Sequence, residues 1–281
     1  MRLHEYLRRA GIDGPLDPTA ETLRRLHVAH RETFLFENLS IQTGGGISVA
    51  LDDIERKFID ERRGGYCFEH NTLFAAVLRE IGCAPIVLLG RVRRGPPALW
   101  ARTHMVLAVA VGESARTGQA VAHASAVASP AIWLADVGFG ATSLVEPIPL
   151  RDGATATQRG LIYRLRTDDR LWVLAMEDAA GTTTDMYEFS EDPQTAGDVL
   201  VANHYTATHP ASMFRRTITI QRLVGNDHLT LRNETLTRYR NGHLSDEPIA
   251  REQLPQVARE LFGIEWPTGP LVHESYAVAA G

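Results

Sequence analysis

The chain has 281 residues, 44% of them hydrophobic and 22% charged, with a formal net charge of -5. That length and apolar content suffice for a substantial core, and the balance of charge argues against long disordered stretches and against a global pull toward nucleic acid or acidic membranes. No uncharged apolar run reaches the roughly 18 residues of a spanning helix, the first residues carry charges where a signal peptide would be apolar, and two cysteines make no disulfide framework. A cytoplasmic protein with reduced thiols is expected.

In chain order, residues 3–10 form a short amphipathic stretch stopped by Gly11, and 21–31 hold Leu23, Leu26 and His27 at helical spacing. Leu51, Ile54, Phe58 and Ile59 mark one face of a third helix, with Asp52 and Asp53 suited to its N-terminal dipole. A fourth spans about 67–81, with Phe74, Val77, Leu78 and Ile81 as its stripe and Gly82 as its stop. From residue 84 the pattern turns to strands, at 85–90, 104–111, 131–137, 162–165, 171–176, 217–221, 229–231 and 235–239. Helical character returns at 194–202 and 253–262, while the small residues of 112–130 read as a long hairpin tip. A helical beginning, a β-rich middle and a mixed end predict an α+β fold with boundaries near 84 and 193.

Chemistry concentrates in three places. In Arg62-Arg63-Gly64-Gly65-Tyr66-Cys67-Phe68-Glu69-His70-Asn71, two glycines permit a tight turn directly ahead of a cysteine that begins a helix. A thiol there meets unpaired backbone N–H groups and the positive end of the dipole, which favour thiolate and offer donors to an oxyanion. The alternative is a small buried hydrophobe, the commoner fate of a free cysteine. His104 opens one strand and Asp136 closes another. An antiparallel hairpin centred on residue 120 sets them opposite each other, at the separation where a carboxylate orients an imidazole. A nucleophile from a helix start with base and orienter from paired strands is triad logic. His70 and Asn71 are expected to pack behind the site. Cys67-x-x-His70 lacks a second pair at zinc-like spacing, so no metal is expected, and Cys83 reads as inert. In Gly138-Phe139-Gly140, Ser143 stands where a dinucleotide loop needs its third glycine.

Phe36-Glu37-Asn38-Leu39, the Arg62 to Glu69 block, Arg102-Thr103-His104 and Asp136-Val137-Gly138-Phe139-Gly140 stand in an order and at a spacing that resemble the arylamine N-acetyltransferases. Thr206-Ala207-Thr208-His209-Pro210 and Phe214 are similar to a later segment of that family. The resemblance implies a helical domain over 1–84, a β-barrel over 85–193 and an α/β lid over 194–281, with a papain-like triad between the first two. It implies Cys67 as acetyl acceptor, His104 as its base and Asp136 as orienter. Acetyl-CoA is then a co-substrate, no cofactor being permanently bound, and the partner is an arylamine, arylhydroxylamine or hydrazine in ping-pong order. Phe36 and Phe139 would line the acceptor pocket, Gly138 and Gly140 would supply backbone near the acetyl or pantetheine end, and Thr103 and Phe214 complete the substrate-binding set. Ala141 stands where the family often has another glycine. Two other readings keep the same three residues: a macrolactam-forming amide synthase, and a cysteine hydrolase or transglutaminase. The sequence leaves the oligomeric state open.

Overall fold

The structure, a computed structural model, describes residues 1–112, 115, 132–225, 227–240 and 243–274. The expected hairpin tip at 112–130 lies, apart from residues 112 and 115, outside that set.

The N-terminal helices form where their signals stand. Helix α1 (Leu3–Ala10) stops at Gly11, whose φ of 65° is left-handed, and α2 (Ala20–Thr33) starts at Thr19, whose hydroxyl accepts the Thr22 N–H at 3.2 Å. A two-residue strand β1 (Phe36–Glu37) and a helical turn α3 (Leu39–Gln42) follow. The third expected helix is only five residues of α-helix, α4 (Leu51–Glu55), before it widens into a π turn at Arg56–Asp60. Helix α5 (Cys67–Glu80) begins at the cysteine, as its sequence predicts.

Strands β2 (Ala84–Val92), β3 (Arg102–Ala110), β4 (Ile132–Ala135), β5 (Ile148–Pro149), β6 (Thr155–Gln158), β7 (Leu161–Asp168), β8 (Leu171–Glu177) and β9 (Thr183–Phe189) follow. Among the described residues they build one antiparallel eight-stranded sheet, order β5-β4-β3-β2-β9-β8-β7-β6, curled into a nearly closed barrel. β3 explains why its sequence shows no polar alternation. Met105, Leu107 and Val109 pack on the helices, whereas Val106 and Ala108 point into the barrel, so both faces are buried.

Helix α6 (Ala196–Thr208) starts at Thr195, paired with Asp198, and is followed by the single turn α7 (Met213–Arg216). Strands β10 (Thr219–Val224), β11 (Asp227–Arg232), β12 (Thr235–Arg240) and β13 (His243–Pro248) form, with β1, an antiparallel five-stranded sheet in the order β1-β10-β11-β12-β13. The expected helix at 253–262 is a short α8 (Leu254–Val257) that widens into a π turn at Ala258–Phe262. Its Leu254, Ala258 and Phe262 cover Ile220, Leu229 and Leu231 of the sheet. No helix among the described residues is long and apolar enough to cross a membrane.

Candidate active site

The cysteine turn is held from outside. Gly65 exchanges backbone hydrogen bonds with Leu35 (3.2 Å) and Glu37 (2.8 Å), so β1 and the turn lie side by side. Neither Gly64 nor Gly65 has a positive φ; what demands glycine is proximity, since a Cβ on Gly64 would lie 1.8 Å from the Leu35 carbonyl oxygen. Glu69 reaches back to accept the Tyr66 N–H at 3.1 Å, which ties off the start of α5. Its other oxygen meets Lys57, the chain's only lysine, at 2.7 Å, and Lys57 lies 3.6 Å from Glu37, which also takes a hydrogen bond from Arg63 at 2.8 Å. Burial pushes the Glu69 carboxyl up, while for Lys57 the two carboxylates outweigh burial and hold the ammonium up.

Cys67 is 2% exposed, with its Sγ 3.7 Å from the Thr103 carbonyl, and it lines the same cleft as His104. His104 Nε2 meets Asp136 Oδ2 at 2.8 Å. The pairing of β3 with β4 corrects the expected register. Leu107 lies opposite Ala135 and Ala110 opposite Ile132, so His104 and Asp136 are offset by two positions and Asp136 falls just past the strand end. A slip of two keeps side chains on the same face, whereas a slip of one would have separated them. The two side chains therefore meet on the diagonal.

Asp136 is fully buried yet well satisfied. Its Oδ1 accepts from the Gly138 N–H at 2.9 Å and from Asn71 Nδ2 at 3.2 Å. Burial alone would raise this carboxyl, but His104 and these two donors hold it down at about 2. Burial likewise pulls the His104 imidazole down, and the Asp136 carboxylate followed by Cys67 more than reverses it, to about 10. Asn71 also donates to the Met105 carbonyl at 2.7 Å and accepts the Val137 N–H at 3.3 Å, so it stitches α5 to both strands. Gly138 lies so close to the helix that a Cβ there would stand 2.7 Å from Cys67 Cα.

The array opens into a cleft of about 850 Å³ lined by Cys67, His104, Phe36, Thr103, Gly138, Phe139 and Phe214, with Arg94 and Arg232 on its walls. Gly140 is not among the lining residues; it turns the chain at a φ of 91° and packs on Gln221. Phe139 stands edge-on to the His104 ring, centroids 4.9 Å apart, and Tyr187 contacts both rings at 4.8 and 5.1 Å. Phe36 and Phe214 face each other at 6.0 Å. Tyr187 has no counterpart in the sequence reading, because β9 buries four consecutive residues without alternation beside the irregular pairing at Leu174/Ala175. Cys83 lies apart, buried, its thiol pushed up to about 11. Among the described residues no group of His, Cys, Asp or Glu could hold a metal ion.

A barrel-like sheet and a helix-borne thiol beside an oriented imidazole define a class before they define a family. A family model described as N-acetyltransferase matches residues 19–269, which makes the chain an acyltransferase. Arylamine N-acetyltransferase of Escherichia coli K12 is 35% identical over 270 residues, covering 93% of this chain and 88% of its own. The Salmonella typhimurium LT2 protein named arylamine N-acetyltransferase / N-hydroxyarylamine O-acetyltransferase is 35% identical over 267 residues, again 93% and 88%. The solved Mycobacterium marinum arylamine N-acetyltransferase in complex with CoA superposes with a TM-score of 0.82 at 29% identity, over 93% of this chain and 92% of that one. The chain belongs to the arylamine N-acetyltransferase family.

Proposed function

We propose that this chain transfers acetyl from acetyl-CoA to arylamines, arylhydroxylamines or hydrazines, with Cys67 as nucleophile, His104 as proton carrier and Asp136 as orienter. The observation that carries it is one cleft lined by both Cys67 and His104, with the imidazole paired at 2.8 Å to a buried Asp136. The Cys67 thiolate attacks the thioester carbonyl carbon, the bond to the CoA sulfur breaks, and the departing sulfur takes its proton from the His104 imidazolium. An amine nitrogen then attacks the acetyl-cysteine, gives up its proton to His104 and expels the thiolate. Exchange between two thioesters is nearly isoenergetic, so cysteine suits this donor.

Phe36, Phe139 and Phe214 supply an apolar wall for an aromatic acceptor, and Arg94 and Arg232 supply cations for a phosphorylated donor. Gly138 and Thr103 bring backbone beside the sulfur. The division at 84 and 193, with the last part as a lid over the cleft, belongs to this reading, as does a cytoplasmic setting where both free thiols stay reduced. Support for acetyl-CoA comes from the CoA complex of the M. marinum relative.

Intact-mass analysis after incubation with acetyl-CoA alone tests the reading. One acetyl group mapped to residue 67, with one CoA released and the acetyl lost on adding a simple arylamine, is the expected outcome. Acetylation elsewhere, or none, overturns it, and lack of reaction with free acetyl-CoA would favour a carrier-tethered donor.

A further inference from the structure

The 136–140 segment is gripped from behind by helix α2. His27, fully buried, has Nδ1 2.9 Å from the Val145 carbonyl and Nε2 3.1 Å from the backbone nitrogen of Asp136. A carbonyl only accepts and an N–H only donates, so the proton must sit on Nδ1 and Nε2 must be the acceptor: the two contacts allow one neutral tautomer. One turn further along, Arg31 is 4% exposed and donates from Nη2 to the Gly140 carbonyl at 2.6 Å. It forms no ion pair among the described residues. The stretch between these two grips carries the Asp136 carboxylate and the Phe139 ring that stands against His104.

We propose that His27 and Arg31 are positioning residues for acyl transfer, with α2 acting as a two-point clamp that sets where Asp136 meets His104. This rests on the triad reading above. Asp136 has no freedom to find His104 through β-pairing, since it lies beyond the strand end and two positions out of register. Its backbone is fixed instead by the His27 imidazole, and its far neighbour Gly140 by Arg31. Gln221 and His228 hold the next residue, Ala141, at its N–H and carbonyl, so the clamp has a fixed rear anchor. Protonating His27 would abolish the acceptor, and burial, with Arg31 nearby, keeps it neutral, down at about 4.

Three variants separate positioning from packing. H27F keeps the ring volume and removes the acceptor, H27Q restores an acceptor at the reach of Nε2, and R31M removes the second grip. H27F should slow Cys67 acetylation at least tenfold with the acetyl-CoA KM within twofold, and should move the alkaline limb of the rate profile downward by a pH unit or more. That limb reports His104, whose titratable neighbours are Asp136, Cys67 and Tyr187. H27Q should recover most of the rate, and R31M should slow the step without moving the limb. Equal impairment of H27F and H27Q, or a wild-type limb in H27F, overturns the clamp. If H27F does not fold, long-range nitrogen–proton NMR of the wild-type imidazoles decides: His27 must carry its proton on Nδ1 from pH 5 to 8, and a proton on Nε2 refutes the proposal. Wild-type protein that takes no acetyl onto residue 67 overturns the triad reading instead, a result these comparisons do not mimic.

Discussion

At the scale of single residues, the site is a set of close approaches that tolerate no added atom. Gly138 is the sharpest case, because its α-carbon faces Cys67 Cα and Asn71 Nδ2, each 2.7 Å from where a Cβ would go. Cys67 Cα is backbone and Asn71 Nδ2 is pinned by its hydrogen bonds to the Met105 carbonyl and Asp136, so the Asp136 loop or the start of α5 must move. G138A should therefore lower kcat/KM more than tenfold and cost about 1–3 kcal/mol of stability, the range for overpacking. Steady-state kinetics and a melting curve on the same preparation check both halves; wild-type activity would mean that the loop yields freely. The sequence offered the three residues proposed as the triad by type and order, since a helix-start cysteine and strand-end His and Asp leave local traces. Tyr187 and His27 leave none: each reaches the site from a distant segment, and nothing near either one in the chain marks that contact.

Among elements, the start of α5 depends on a lysine that its own sequence does not contain. Its first turn is tied by Glu69, Glu69 by Lys57, and Lys57 also sits beside Glu37 on β1. Removing the cation would strand the buried Glu69 carboxylate, already pushed up by burial, while Glu37 keeps Arg63. K57M is expected to cost about 3–5 kcal/mol, the range for breaking a buried pair by deleting one partner. Urea unfolding measures it, and a loss below 1 kcal/mol would show that the ions are solvated in practice. The β3–β4 pair makes the complementary point about legibility. Strand identity and face were readable from the apolar runs, but the pairing was off by two, because strands so far apart in sequence have no two-residue turn signal to fix their register. The match of faces survived because two is the side-chain period of a strand.

For the molecule as a whole, buried imidazoles set the response to pH. His27 and His228 are held down at about 4, His70 at about 3 and His30 well below its usual value, each chiefly by burial. The unfolded chain binds protons at these histidines from about pH 6.5 downward while the folded chain does not, so stability falls between pH 6.5 and 4, by up to about 1.4 kcal/mol per pH unit for each group. His104 has the opposite sign. Raised to about 10, it contributes stability that is fully present below pH 6.5 and is lost as pH climbs through 10. Asp136, held at about 2, contributes stability that is fully present above its unfolded value of about 4 and is lost as pH falls from there through 2. Melting temperature should thus peak near neutrality and fall more steeply on the acid side, where four groups act against one. A flat profile between pH 4 and 6 would contradict the burial of these rings.

By itself the sequence determined the local events: which segments are helical or extended, where the cysteine turn falls, and the family those motifs resemble. Each is written in near neighbours, through side-chain period, helix stops and glycine placement. Only the tertiary structure decided what holds Asp136 against His104, namely α2 from over a hundred residues away, the offset pairing, Tyr187 from β9 and Gln221 and His228 from the second sheet. Such contacts depend on how whole elements stack, and no run of adjacent residues encodes that distance.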